Sequence, residues 1–310
     1  MKRIQYHKYG GAETMQLETF ELTAPKVGQV AVQVKAASIN PIDWKVRRGE
    51  LKMVTGKSFP RAMGADFSGT VLTVGPGVTR FKRGDHVFGL ARLKECGAFA
   101  DVVVTVESFV AIKPESVSFE QAACFGTPVV TAWNGLVDKA VIKPGQRVFV
   151  AGCMGSVGQA AAQLALRLGA SVAGSCSAND ASRAQALNID PVFDYRALDL
   201  STLKDDFDVI YDTSGAPAMN EGPHLVRRGG VFVDIHPTPT KFLRALFNSR
   251  LKVIICKPRA EILEEAARAA AAGQLQIAIA KTVGLTGAIE LISDLEKGQK
   301  INGKGLIVMN

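Results

Sequence analysis

The segment of this sequence best suited to binding a phosphate is a glycine-rich turn that reads Gly152-Cys-Met-Gly155-Ser-Val-Gly158. It follows the apolar run RVFVA and leads into the helical pattern SVGQAAAQLALRLG. A glycine pattern placed after a strand and at the start of a helix indicates a dinucleotide-binding unit. The spacing departs from a strict G-x-G-x-x-G because Cys153 occupies the first glycine position, so a glycine-rich turn without a ligand is the alternative interpretation.

The residue types in this turn suggest how it would hold a pyrophosphate. Gly155 would let the backbone approach the anion, and Gly158 would let the helix pack closely on the strand. The first helical residues, Ser156 and Val157, would offer free N–H groups at the positive end of the helix.

The end of the next strand distinguishes between the two nicotinamide dinucleotides. In sites that prefer NAD, an acidic residue about 20 residues after the glycines binds the ribose 2′-hydroxyl. Here the strand pattern SVAGSC runs into Ser177, and the first carboxylate is Asp180. The hydroxyls of Ser175 and Ser177 can donate to a 2′-phosphate, and Arg183 can supply its counter-charge. The sequence therefore favours NADPH, with a helix cap at Ser177 and a solvated Arg183 as the alternatives.

Composition limits the classes of protein to consider. The chain has 310 residues, 47% of them hydrophobic, and an excess of eight positive charges that is spread over short pairs. This charge could favour nucleic acid, an anionic membrane surface or a phosphorylated cofactor, but no nucleic-acid motif accompanies it and a solvated surface is the favoured interpretation. No secretory leader or membrane-spanning run is evident, and the five cysteines are scattered, which predicts a soluble cytoplasmic protein with reduced thiols.

Two patterns of secondary structure follow one another along the chain. Short strand patterns broken by glycine and proline occupy residues 30–39, 67–75, 85–90 and 99–106. From about residue 120, strands alternate with helices, with strand patterns at 147–152, 171–176, 207–213 and 229–235. The predicted class is α/β, with a β-rich domain beside a parallel, doubly wound sheet.

Several short motifs occur together in an order typical of one family. They are NPIDWKVRRG (40–49), GADFSG (64–69), VGPGV (74–78), GDHV (84–87), GAFA (97–100), KPG (143–145), DY (194–195) and NGK (302–304). On these motifs the chain resembles the zinc-independent quinone oxidoreductases, also called NADPH:quinone reductases, of the medium-chain dehydrogenase/reductase superfamily. The resemblance implies a GroES-like catalytic domain made of residues 1–122 and 258–310, and a Rossmann NADP-binding domain made of residues 123–257.

The resemblance also implies roles for individual residues. Ser177, Arg183 and Tyr195 match positions that hold the adenosine 2′-phosphate and the adenine in this family. Asn40 and Asp43 match residues beside the nicotinamide and the substrate, and are the candidate catalytic residues. Thr127 matches a residue near the nicotinamide. His236 is a candidate contact because it follows the strand pattern GGVFVDI at the carboxyl edge of the predicted sheet, although the stretch that begins with it departs from the family pattern. Lys304 is a weaker candidate for the phosphate.

Zinc-dependent alcohol dehydrogenases resemble the chain over the same span but differ at the metal positions. They carry a cysteine at the position of Asn40 and a His-Glu pair at the position of Ala65 and Asp66. A metal site needs three or four converging N, S or O ligands, so the sequence predicts no bound metal.

Without a metal, the reaction would depend on acceptors that are already electrophilic, such as quinones or α,β-unsaturated carbonyls. Asn40 could donate a hydrogen bond to the acceptor oxygen, while Asp43 is expected to orient the loop. An alkenal or enoyl-thioester reductase and a non-catalytic NADPH-binding protein, structural or RNA-binding, are the alternatives. The family also suggests a homodimer, for which the apolar run LKVIIC (251–256) is the candidate edge strand.

Overall fold

The strands and helices follow the two patterns seen in the sequence. The structure, a computed structural model, describes residues 1 to 309, and describes residues 217 and 218 by their main chain alone. In this part of the chain the strands are β1 (Lys2–Tyr6), β2 (Gln16–Thr19), β3 (Gln29–Ser38), β4 (Arg61–Ala62), β5 (Asp66–Val74), β6 (His86–Leu90), β7 (Val102–Val106), β8 (Val110–Ile112), β9 (Arg147–Ala151), β10 (Ser171–Cys176), β11 (Val192–Asp194), β12 (Val209–Asp212), β13 (Val231–Asp234), β14 (Leu251–Val253), β15 (Ile279–Gly284) and β16 (Lys304–Val308). The α-helices are α1 (Pro41–Arg47), α2 (Lys52–Thr55), α3 (Phe119–Ala123), α4 (Gly126–Trp133), α5 (Ser156–Arg167), α6 (Ala181–Ala186), α7 (Pro239–Phe247), α8 (Ala260–Ala271) and α9 (Ala288–Glu296). None of the helices among the described residues is long and apolar enough to span a bilayer.

The chain divides into two compact units, and the first is built on a mostly antiparallel sheet. This unit comprises Met1–Thr127, Pro258–Gly273 and the residues from Ile277 onward. Its main sheet has the order β15-β16-β3-β5-β6-β8, with β7 paired to β3, and β15 and β16 are its parallel pair. Alternating small apolar residues in β3 bury one side of the strand in a core that includes Phe67 and Phe99.

The second unit comprises Pro128–Lys257 and Gln274–Gln276 and is built on a parallel sheet. The strand order is β11-β10-β9-β12-β13-β14, so the order reverses between β9 and β12. This is the order of a doubly wound nucleotide-binding sheet, in which ligands bind outside the carboxyl ends of the strands next to the reversal. The strands are short and nearly all apolar, because helices cover both faces of such a sheet.

The predicted fold class, an α/β chain with a GroES-like β-rich part and a Rossmann-like parallel sheet, is confirmed. Strand β10 has the predicted bounds, and the other long strands differ from the patterns by one to three residues at their ends. The short strands β1, β2, β4, β8, β11 and β15 and the helices α1 to α4 and α7 were not predicted. Most of these elements are too short to show a hydrophobic period, so only tertiary packing defines them.

Candidate active site

Asn40, one of the two predicted catalytic residues, lies in a buried cluster of polar side chains in the first unit. Its Nδ2 donates to Asp66 Oδ2 at 3.0 Å and to the main-chain oxygen of Ser38 at 3.2 Å. Its Oδ1 accepts a hydrogen bond from Lys304 Nζ at 2.5 Å, and Lys304 Nζ also donates to the main-chain oxygen of Ile39 at 3.1 Å. The Asn40 amide therefore uses both of its donor hydrogens and its oxygen inside the protein.

Strand pairing explains why residues so distant in the sequence meet here. Ser38, at the end of β3, is directly opposite Asp66, the first residue of β5. On the other side of β3, Ile39 N donates to the main-chain oxygen of Gly305 in β16, which places Lys304 beside Asn40. The site thus forms where three neighbouring strands of one sheet begin or end.

Asp66 connects this cluster to the start of α4. Thr127 donates to its carboxylate through the backbone N–H, at 2.9 Å from both oxygens, and through Oγ1 at 2.6 Å from Oδ1. Gly126 permits this approach, because a Cβ at that position would lie 2.6 Å from Asp66 Oδ1. Burial raises the pKa of Asp66, while Lys304 and the hydrogen bonds from Thr127 and Asn40 oppose that shift.

Asp43 orients the chain at the start of α1. Its Oδ2 accepts the backbone N–H of Asn40 at 2.7 Å, and Pro41 begins the helix between them. Burial, together with the nearby charge of Asp66, raises the pKa of Asp43 to about 7. These contacts agree with the orienting role expected for Asp43.

The structure changes the interpretation of two predicted residues. Asn40 was expected to donate to the substrate oxygen, but both of its amide hydrogens are already donated and its side chain is buried. Lys304 was a candidate for the 2′-phosphate, but its ammonium is buried and donates to Ile39 and Asn40. This geometry favours Lys304 as a residue that holds Asn40.

The glycine-rich turn has the shape that a pyrophosphate needs. Helix α5 begins at Ser156, directly after Gly155, and Val157 is its second residue. Gly158 has to be glycine, because a Cβ there would lie 2.2 Å from the main-chain oxygen of Gly152. At Gly155, by contrast, a Cβ would meet a single atom at 3.4 Å, so the space in front of the helix is open. The open side and the free N–H groups of the first turn fit an anion.

Cys153 and Ser175 are buried residues that pack against or hydrogen-bond to the main chain of this turn. Cys153 is buried, and Gly174 makes room for it, because a Cβ on Gly174 would lie 2.8 Å from the Cys153 Cβ. Ser175 is also buried, and its main-chain oxygen accepts the N–H groups of Gly152 and Cys153 at 3.0 and 2.9 Å. Its hydroxyl oxygen lies 3.4 Å from Gly152 N. The structure therefore places Ser175 behind the turn, which disfavours its predicted contact with a 2′-phosphate.

Ser177 and Tyr195 follow the ends of the neighbouring strands β10 and β11, and Arg183 lies in helix α6, which follows β10. The backbone N–H of Tyr195 donates to the main-chain oxygen of Cys176, which immediately precedes Ser177. Between Ser177 and Arg183 lies Asp180, whose Oδ2 accepts from Ser177 Oγ at 2.8 Å and whose Oδ1 accepts from Arg183 Nη1 at 2.5 Å. The carboxylate of Asp180 thus already accepts hydrogen bonds from Ser177 and Arg183, the two residues expected to donate to the 2′-phosphate. This contact was not predicted from the sequence.

His236 lies at the carboxyl end of β13, where an open sheet binds ligands. Its backbone N–H donates to Asp234 Oδ1 at 2.7 Å, and its ring packs over Gly215. Ligand-type atoms of Asp212, Asp234 and His236 lie within 4.8 Å of one another. Lys241 Nζ already lies 2.5 Å from Asp234 Oδ2, so an ammonium supplies positive charge to this group. Burial opposes ionisation of Asp234, but the hydrogen bonds from His236 and Lys241 outweigh it and lower its pKa.

Reasoning from the sequence missed Asp66, Gly126 and Asp180 as functional residues. Asp66 was noted as the place where a zinc enzyme has glutamate, and the motif that contains it was the available signal. Gly126 offers no such signal, because its importance depends on the Asp66 carboxylate that the fold brings close to it. Asp180 lies three residues from both Ser177 and Arg183, so this local spacing was the available signal.

Comparisons with known proteins assign the chain to a family. A model described as the alcohol dehydrogenase GroES-like domain matches residues 26–115, and one described as zinc-binding dehydrogenase matches residues 187–307. The chain is 32% identical over 256 residues to a chloroplastic quinone-oxidoreductase homolog of Spinacia oleracea, which covers 78% of this chain and 77% of that protein. It is also 32% identical over 243 residues to a chloroplastic NADPH-dependent alkenal/one oxidoreductase of Arabidopsis thaliana, across 75% of this chain and 62% of that longer protein.

A solved structure agrees with these relatives. The quinone oxidoreductase of Escherichia coli in complex with NADPH matches with a TM-score of 0.84 and 27% identity, over 99% of this chain and 100% of that chain. The fold, the motif order and these relatives lead to one assignment: the chain belongs to the quinone oxidoreductase family of the medium-chain dehydrogenases/reductases.

Proposed function

We propose that this chain is an NADPH-dependent oxidoreductase that reduces quinones or α,β-unsaturated carbonyls and uses no metal. The observation that carries the proposal is the turn between β9 and α5. Gly158 lets the helix pack closely on this turn, and the space beside Gly155, in front of the helix N-terminus, is open. Backbone N–H groups at such a position bind a dinucleotide pyrophosphate. The relatives named as quinone and alkenal/one oxidoreductases support both classes of acceptor.

Residues at the ends of β10 and β11 support the choice of NADPH. We assign Ser177, Arg183 and Tyr195 to the adenosine 2′-phosphate and adenine, and His236 and Thr127 to the nicotinamide half. A hydroxyl and a guanidinium are suited to a phosphate, provided that they leave Asp180 when the phosphate binds. One relative is named NADPH-dependent, and one similar solved structure is a complex with NADPH, and both agree with this preference.

Bound NADPH would supply the hydride, and the chain's own residues would fix the geometry in which it is delivered. Lys304 and Asp66 hold the Asn40 amide from both sides, and Asp66 fixes Thr127 at the start of α4. Groups that are held this tightly do not reorganise during the reaction, which favours precise positioning of two reactants. The Asn40 amide and the Lys304 ammonium already make hydrogen bonds inside the cluster, which favours an acceptor that is activated by its own conjugation.

The same cluster supports a reaction without zinc. Asn40, Ala65 and Asp66 occupy the positions at which zinc dehydrogenases carry ligands, and the amide of Asn40 accepts a hydrogen bond from the Lys304 ammonium. A positive charge at this point disfavours a divalent cation. Activity should therefore persist after treatment with chelators.

The deciding experiment is anaerobic turnover of NADPH with a panel of quinones, enones and alkenals. Saturable oxidation of NADPH by at least one acceptor, unchanged by chelators, is the expected result. The class with the highest kcat/KM separates a quinone reductase from an alkenal reductase. If NADPH binds in titration but no acceptor oxidises it, the chain is a binding protein and the catalytic proposal is wrong.

We also propose domain bounds, a cellular location and an oligomeric state. We assign residues 1–122 and 258–310 to the catalytic domain and residues 123–257 to the NADP-binding domain, in a cytoplasmic protein. Strand β14 is the outer strand of the parallel sheet among the described residues, so its free edge could pair with a second copy to form a homodimer. Light scattering at micromolar concentration tests this arrangement, and a monomer throughout would argue against it.

A further inference from the structure

A histidine and an aspartate lie side by side at the carboxyl end of β13, where the sequence departs from the family pattern. Asp234 is the last residue of β13, and its side chain is buried. His236 Nδ1 lies 3.7 Å from Asp234 Oδ1, and the same oxygen accepts the backbone N–H of His236 at 2.7 Å. Nδ1 is buried and makes no hydrogen bond to the described residues. A small rotation of the ring would bring Nδ1–H into a hydrogen bond with this carboxylate.

The turn that follows β12 holds the other side of the imidazole. Gly215 has a φ of +64°, and a Cβ at this position would lie 2.9 Å from Cε1 and Nε2 of His236. Asp212 fixes this turn, because its Oδ1 accepts the backbone N–H groups of Ser214 and Gly215 at 2.9 and 3.1 Å. Glycine thus leaves room for the ring, and the surroundings of the ring are fixed by aspartates at the ends of two neighbouring strands.

Asp234 is an ionised partner for this ring. Lys241 Nζ lies 2.5 Å from Asp234 Oδ2, so the two carboxylate oxygens face different partners. Although burial opposes ionisation, the hydrogen bonds from His236 and Lys241 lower the pKa of Asp234. An ionised carboxylate next to Nδ1 keeps a proton on that nitrogen and stabilises an imidazolium. Nε2 is then the nitrogen that can give a proton to a ligand.

Nε2 of His236 is available to a ligand. The His236 side chain is 32% exposed although Nδ1 is buried, and Nε2 makes no hydrogen bond among the described residues. His236 follows β13, which is paired with β12, and the order of the sheet reverses between β9 and β12. Doubly wound sheets bind ligands outside the carboxyl ends of the strands next to such a reversal. The free nitrogen therefore lies at the edge of the sheet to which the nicotinamide half is assigned.

Reduction of a quinone or an α,β-unsaturated carbonyl consumes a proton as well as a hydride. In the buried cluster, the amide hydrogens of Asn40 and the ammonium of Lys304 are already donated to other groups. Asp43 is buried and accepts the backbone N–H of Asn40. His236 differs from these residues because Nε2 has no partner among the described residues and because its partly exposed ring can recover a proton from water.

We infer that His236, held by Asp234, is the general acid that protonates the acceptor during its reduction. The inference rests on the proposed reductase function. The acceptor gains a hydride with its electron pair as NADPH is oxidised to NADP⁺, and it becomes an enolate or a hydroquinone anion. The Nε2–H bond of the imidazolium then breaks, and its proton forms a bond to the carbon or oxygen of that anion. The neutral ring takes up a proton from water before the next turnover.

The test compares acceptors that differ in their need for a proton. The enolate formed from an enone is strongly basic, whereas the anion formed from 2,6-dichloro-1,4-benzoquinone is weakly basic. General acids contribute about 10²- to 10⁴-fold, so His236→Gln should lower kcat about hundredfold for the acceptors with the most basic anions and less than about threefold for the dichloroquinone. Asp234→Asn keeps the ring but removes the charge that holds it, and its losses should lie between those of His236→Gln and the wild type. The Kd for NADPH should change less than about threefold in both variants.

The matched control is His224→Gln. His224 also lies near a carboxylate, 3.8 Å from Glu221, but both side chains are highly exposed. This variant should keep the kcat of the wild type with every acceptor. Circular dichroism of all three variants should match the wild type, which excludes a general loss of structure.

A second measurement does not depend on turnover. In nitrogen NMR spectra of protein labelled at its histidines, the neutral ring of His236 should carry its proton on Nδ1. The His236→Gln variant identifies this signal among those of the four histidines. Asp234→Asn should remove the preference for Nδ1, because the amide no longer supplies a charged acceptor.

Each outcome supports or overturns the inference. An equal loss of kcat on all acceptors, together with a raised Kd for NADPH, would make His236 a nicotinamide contact and overturn its role as proton donor. Unchanged kcat in His236→Gln, or a neutral ring protonated on Nε2, would overturn it as well. If the wild type oxidises NADPH with no acceptor, the proposed function fails and the inference fails with it. An active wild type beside an equally active His236→Gln refutes the inference alone.

Discussion

Around Asn40, polar groups from four separate segments of the chain meet in a buried cluster, whereas around Ser177 the polar contacts join residues three positions apart. In the first cluster Asp66 and Lys304 make all their contacts with other segments, and both are buried. In the second, Ser177 and Arg183 are only partly buried and share one carboxylate, that of Asp180.

This difference corresponds to two kinds of binding site. A buried, fully hydrogen-bonded cluster is rigid, and removing one member leaves several partners unsatisfied. A half-exposed local cluster can exchange an internal anion for an external one at small cost, because water satisfies the groups during the exchange. The first arrangement suits positioning for a reaction, and the second suits recognition of a phosphate.

The largest effect should follow from Asp66→Ala. The substitution removes the acceptor of Asn40 Nδ2, which is buried, and the carboxylate that accepts from Thr127, which is partly buried. A buried donor left unsatisfied costs about 1 to 3 kcal/mol, so the free energy of unfolding should fall by about 2 kcal/mol or more. Urea unfolding measures this loss, and Asp66→Asn, which keeps one acceptor oxygen, should lose less. A loss below about 1 kcal/mol for the alanine variant would show that the cluster is not tightly coupled.

The other cluster should respond in cofactor affinity. The double change Ser177→Ala/Arg183→Ala removes two donors to the 2′-phosphate, each worth roughly 1.5 to 3 kcal/mol, and should raise the Kd for NADPH at least about tenfold while leaving NADH nearly unchanged. Lys304→Gln is the matched control, because a buried ammonium that holds Asn40 should not affect the ratio of the two affinities. Fluorescence titration measures both. Equal weakening of NADPH and NADH by the double variant would mean that the phosphate binds elsewhere.

The sequence was informative about these two regions to different degrees. The turn from Gly152 to Gly158 and the end of β10 are local features, so spacing alone predicted them. The Asn40 cluster depends on the register of β3 with β5 and β16, and no local pattern records that Ser38 lies opposite Asp66. For this reason Asn40 was identified through the family motif, while its partners and the placement of Lys304 required the structure. The hydrogen bonds that Asp180 accepts from Ser177 and Arg183 were missed because only the separation of Asp180 from the glycine turn was considered, and not its spacing from these two residues.

A smaller effect concerns pH. Burial raises the pKa of Asp43 from 3.8 to about 7, so in this range the folded protein holds a proton that the unfolded chain has released. The free energy of unfolding should therefore decrease as pH rises from about 4 to 7, by up to about 1.4 kcal/mol per pH unit from this group. Asp43→Asn does not titrate and should remove that slope, which is read as the difference between the two proteins in urea unfolding at several pH values. Parallel pH profiles for the two proteins would contradict a buried, protonated Asp43.

The smallest effect tests whether Asp180 competes with the cofactor. Asp180 holds Ser177 and Arg183 in the absence of a phosphate, and its charge would lie near a bound 2′-phosphate. Two like charges about 4 Å apart in water repel by about 1 kcal/mol, so Asp180→Asn should lower the Kd for NADPH about fivefold. NADH should gain nothing, because it carries no 2′-phosphate and loses a possible acceptor for its 2′-hydroxyl. Glu221→Gln removes the same charge from a highly exposed position in the same unit and serves as the control. If Asp180→Asn weakens NADPH instead, the carboxylate organises Arg183 for the phosphate and does not compete with it.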